Sequence, residues 1–128
     1  MIAAERALQA AIAQAAKDAQ TPGGVTAADA EAVRDAANQL AAAQTVCDNS
    51  PVQADKDMSA KLTTDEKNAG IDNIISSIVA ASNTDKSVNP PSNVINVLNA
   101  SFGGLFGPVD AADVDAAFNA FNTQYPLS

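Results

Sequence analysis

Apolar side chains recur along this chain at intervals of three and four residues. Strict alternation is absent, so the pattern predicts helices throughout. Leu8, Ile12, Ala15, Ala16 and Ala19 share one face of a helix over 2–19, built from Ala, Gln, Arg, Lys and Glu. Thr21-Pro22-Gly23-Gly24 stops it. A second helix is predicted over 26–47. Thr26 and Asp29 form a capping box with Asp in place of Glu, and Val33, Leu40 and Cys47 lie on one stripe with Ala36, Ala37 and Ala43. The two should pair as an antiparallel hairpin.

Asp48-Asn49-Ser50-Pro51 interrupts the pattern. Ser50 and Pro51 offer a cap and first position for a short helix over 51–61, although its apolar face (Val52, Met58, Leu62) is sparse. The strongest pattern follows. Thr63 and Glu66 read as a capping box for a helix over 64–82, and Ile71, Ile74, Ile75, Ile78 and Val79 form its stripe, expected at the heart of the core. After a polar loop ending in Pro90-Pro91, Ser92 caps a helix over 92–101 with Val94, Ile95, Val97 and Leu98 inward. A last helix is predicted over 110–122, with Asp110 and Asp113 as cap, Val109 and Val114 as hydrophobic staple, and Val114, Ala117, Phe118 and Phe121 as its face. The fold class is therefore all-α. We expect one domain over 1–128, a small bundle of four to five helices, with an Ala-rich N-terminal hairpin packed on an Ile/Val/Phe-rich C-terminal half. Residues 25–32 echo residues 109–116, which reads as the same helix-start grammar used twice rather than as a repeat array.

Composition refines this plan. Of 128 residues, 29 are alanine and only 30 are Val, Ile, Leu, Met, Phe or Tyr. Alanines let helices approach closely, but each contact removes little apolar area from water, so we expect average or low stability. The net charge is −8. Lys and Arg supply most nucleic-acid affinity, and seven of them among 15 acids build no such surface, so nucleic acid is not an expected partner. An anionic membrane is disfavoured for the same reason. No apolar run is long enough to span a bilayer, and Glu5 and Arg6 interrupt the place of a signal peptide. Localisation is otherwise undetermined, a virion included. The lone Cys47 reads as a small buried hydrophobe.

Candidate chemistry is thin. There is no histidine, no G-x-S-x-G elbow and no S-x-x-K, and Gly103-Gly104-x-x-Gly107 lacks the lysine of a phosphate loop. The pairs Asp55/Asp57, Asp65/Glu66 and Asp113/Asp115 lack the context of a calcium loop and read as caps and solvated faces. Asn99-Ala100-Ser101 matches a glycosylation triplet that matters only in a secreted chain. We expect no enzyme, no catalytic residue, no metal and no cofactor. The candidate docking residues are Phe102, Leu105 and Phe106, aromatic and apolar anchors in a glycine-rich segment ending at Pro108. The simpler reading makes that segment a connector whose phenylalanines fold onto the core. Residues 87–128 carry only three charges, Asp110, Asp113 and Asp115. Such a surface is either covered by another chain or wetted by asparagine.

The leading expectation is a non-enzymatic structural or interaction protein, partnered by another protein or by itself. A component of a larger assembly, such as a phage decoration, adaptor or tail-associated protein, would fit. The alternatives are an acidic inhibitor or immunity-type protein that binds a basic partner, and a helical carrier of an apolar ligand.

Overall fold

A computed structural model describes residues 1–85, 92–102 and 111–126. These residues form seven helices and no strand: α1 (Ile2–Ala19), α2 (Ala27–Asp48), α3 (Gln53–Asn68), α4 (Asp72–Asp85), α5 (Ser92–Phe102), α6 (Ala111–Ala117) and α7 (Asn119–Gln124). The all-helical bundle expected from periodicity is what forms.

The first two helices keep their expected places. The capping box at α2 is complete: Thr26 Oγ1 accepts from the Asp29 amide at 3.1 Å, and the Thr26 amide donates to Asp29 Oδ2 at 3.2 Å. The α1–α2 turn needs Gly24, whose φ is +64°. Asn99 of α5 reaches this turn and accepts from the Val25 amide at 3.3 Å, so the glycosylation triplet contributes a tertiary hydrogen bond. The helix stripes meet in one continuous core containing Leu8, Ile12, Ala30, Val33, Leu40, Leu62, Ile75, Ile78, Val94, Leu98, Phe118 and Phe121. α1 packs along α2, α4 along α5, and α2 also touches α3, α4 and α5. α6 lies on α1 and α7 on α3. Cys47 is buried and has a free thiol.

Three expectations about element bounds are corrected. The short helix over 51–61 is a 16-residue helix ending at Asn68. Pro51 lies before it, and Ser50 organises its start, with Oγ accepting from the Val52 amide at 3.1 Å and donating to Asp55 Oδ2 at 2.7 Å. Secondly, Thr63 does not cap a helix over 64–82. It lies inside α3, where its hydroxyl donates to the Ser59 carbonyl at 3.1 Å. The chain breaks at Gly70 instead, with φ +76°. Gly70 donates to the Lys67 carbonyl and Ile71 to the Glu66 carbonyl, a Schellman ending that separates α3 from α4. The isoleucine stripe accordingly belongs to α4 and to Ile71 just before it, with Ile75 and Ile78 buried and Ile71, Ile74 and Val79 packed partly buried against the core. Finally, the helix over 110–122 is divided at Phe118 into α6 and α7. No glycine or proline stands there to require the break.

Candidate functional site

The buried stripe of α1 is not wholly apolar. Glu5 and Gln9 sit one turn apart, in register with Leu8 and Ile12, and are 1% and 3% exposed. The Gln9 amide donates to Glu5 Oε2. It also pairs reciprocally with Asn122 of α7: Gln9 Nε2 donates to Asn122 Oδ1, and Asn122 Nδ2 to Gln9 Oε1, each at 3.2 Å. Arg6 adds a bond to Gln9 Oε1 at 3.4 Å and an ion pair to Asp115 of α6 at 3.2 Å. A carboxyl–amide cluster thus ties α1 to both C-terminal helices.

α3 brings further acids to the same region. Burial pushes the Glu5 carboxyl up to about 7, against the lowering effect of the Gln9 hydrogen bond and with a further upward push from Glu66. Glu66 is also pushed up to about 7, by burial and by the nearby charge of Asp72. Asp65 is 6% exposed; its Oδ1 accepts from Lys61 at 3.1 Å, while its buried Oδ2 has no protein partner. Asp65 lines an open cleft of about 430 Å³ together with Asn68, Ala69, Ala116, Ala117, Asn119 and Ala120. A second open groove, of about 610 Å³, runs between α2 and α3 past Ala41, Thr45, Lys56, Ala60 and Thr64. Val46 and Val52 stand exposed near its end, at the corner between the two helices.

The outer surface changes character along the chain. Lys17, Asp35, Asp48, Lys56, Asp57 and Lys67 are exposed in the first three helices. Of residues 92–126 whose side chains are described, only Asp115 is charged. The outward positions there are mostly amides and alanines: Asn93, Asn96, Asn99 and Ala100 on α5, then Ala112, Ala116, Asn119, Ala120, Thr123 and Gln124.

Phe102 ends α5, its side chain lies outside the described residues, and so do Leu105 and Phe106. The expected cap at Asp110 and staple at Val109 also lie outside them. The buried cluster was absent from the sequence reading, although it left a trace there: Glu5 and Gln9 occupy stripe positions where apolar residues belong. Among the described residues no group of three or more His, Cys, Asp or Glu side chains could hold a metal ion. No helix there is long and apolar enough to cross a membrane.

No protein-family model, curated protein or solved structure matches the chain.

Proposed function

We propose that the protein is a non-enzymatic structural component of a larger protein assembly, docking through the outer faces of α5, α6 and α7. The observation that carries this reading is the charge-poor surface described between residues 92 and 126, where Asp115 is the one charged side chain described and Asn and Ala occupy most outward positions, in contrast to the first three helices. Interface centres are depleted of charge because desolvating it costs free energy. Amides and small side chains cost less to cover and still offer hydrogen bonds. The phage-particle setting remains the class-level form of the proposal. The acidic-inhibitor reading draws on the net charge of −8 and predicts a different surface, the acids of the first three helices. The carrier reading draws less support, because Ile75, Ile78, Phe118 and Phe121 already pack into one core.

The test is the mass of the full chain by size-exclusion chromatography with light scattering, over a concentration series and beside the Asn96→Lys variant. An oligomer that Asn96→Lys dissociates without lowering the melting temperature supports self-assembly through this surface. A concentration-independent monomer, or an oligomer indifferent to Asn96→Lys, removes self-assembly through it and favours a different partner.

A further inference from the structure

The Glu5–Gln9–Asn122 cluster has no evident part in a docking surface, yet it spans the joint between the first half of the chain and the last two helices. We propose that Glu5 is a proton-operated latch: the proton on its buried carboxyl keeps α6 and α7 seated on α1 and α3, and its loss to solvent loosens that C-terminal pair.

Four features of the joint carry the inference. Glu5 is almost completely buried, and among the described residues the one hydrogen bond its carboxyl receives comes from Gln9. The same Gln9 amide makes the reciprocal pair with Asn122, so any movement of Glu5 toward water disturbs the tie to α7. The charges around Glu5 are mostly of its own sign: Glu66 from α3 and Asp115 from α6 oppose its ionisation, and only Arg6 favours it. Glu66 in turn faces Asp72 of α4. Neither α5 nor α7 contains a charged residue that could compensate, and the Asp113 side chain of α6 lies outside the described residues. Arg6 is engaged by Gln9 and Asp115.

A buried carboxylate so placed is relieved most readily by admitting water. The elements cheapest to move are α6 and α7, of seven and six residues, because they hold fewer contacts than the long helices. Burial and like charge set both carboxyls to change state near pH 7, within the range a cell compartment can vary. The latch would hide or release part of the charge-poor surface, but it stands on the buried cluster and does not depend on what docks there.

Hydrogen exchange of the full chain, followed by mass spectrometry at pH 5.5 and pH 8.5 and corrected for intrinsic exchange rates, tests it. Protection of residues 111–126 should fall by roughly a hundredfold between the two, while α2 stays protected. Glu5→Gln keeps the shape of the neutral acid and should flatten the dependence. Glu66→Gln should reduce it and serves if Glu5→Gln fails to fold. Protection of 111–126 that ignores pH, a loss spread equally over α2, or an unchanged dependence in a folded Gln variant would each overturn the latch.

Discussion

At the scale of single residues, the most consequential choice is an acid on a buried stripe. Glu5 has an ordinary carboxyl value of 4.5 in the unfolded chain and about 7 in the fold, so the folded state binds its proton more tightly. Its contribution to stability is therefore full below pH 4.5, declines as pH rises toward 7 and levels off beyond. Glu66 follows the same course. For Glu5 alone the loss is on the order of 3 kcal/mol. The melting temperature should accordingly drop by roughly 10 °C from pH 5 to pH 8. A flat or rising profile in that window would mean the carboxyls ionise without cost. The exposed ion pair Arg6–Asp115 belongs to a different class, with Asp115 55% exposed. Asp115→Asn should change stability by less than about 1 kcal/mol in urea melts. Alanines matter through what they exclude: Ala30 is fully buried, and Ala30→Leu should cost roughly 1–3 kcal/mol by overpacking the helix contact.

At the scale of elements, caps and stops decide where helices begin and end, and two threonines make the point by contrast. Thr26 and Thr63 are each followed three residues later by an acid. Only Thr26 stands before a helix, so Thr26→Ala should cost about 1 kcal/mol by chemical denaturation. Thr63→Ala should fall within about 0.5 kcal/mol of the parent, because an exposed mid-helix threonine gains little from bonding the Ser59 carbonyl. Equal losses at both sites would contradict the assigned start of α3. The stop at Gly70 was legible in principle: a glycine followed by an apolar residue is the sequence form of a Schellman ending. In the sequence this stop is masked by the isoleucine stripe from Ile71 onward, which reads as continuous with the acids before it. The length of α3 is hidden in the sequence for a related reason. Its buried face is Ser59, Leu62 and Asp65, and a stripe made largely of polar residues leaves no hydrophobic period to read.

At the scale of the whole molecule, stability comes from one core shared by all seven described helices, with Phe118 and Phe121 anchoring the C-terminal pair. Phe121, 1% exposed and with its ring tilted against Tyr125 at a centroid separation of 5.1 Å, should cost roughly 3–5 kcal/mol when replaced by alanine. Near-ultraviolet circular dichroism beside the urea melt would show whether α7 alone or the entire bundle loses its packing. The all-α class, α1, α2, the start of α5 and the apolar residues that face inward were determined by the sequence itself, because helix period and cap chemistry are local and act within one or two turns. The division at Phe118, the length of α3, the reach of Asn99 to the α1–α2 turn and the burial of Glu5 beside Gln9 were decided only by the tertiary structure. Each depends on partners distant along the chain: Gln9 and Asn122 are 113 residues apart, and no local pattern tells an acid on a helix that its neighbours will be another acid and an amide.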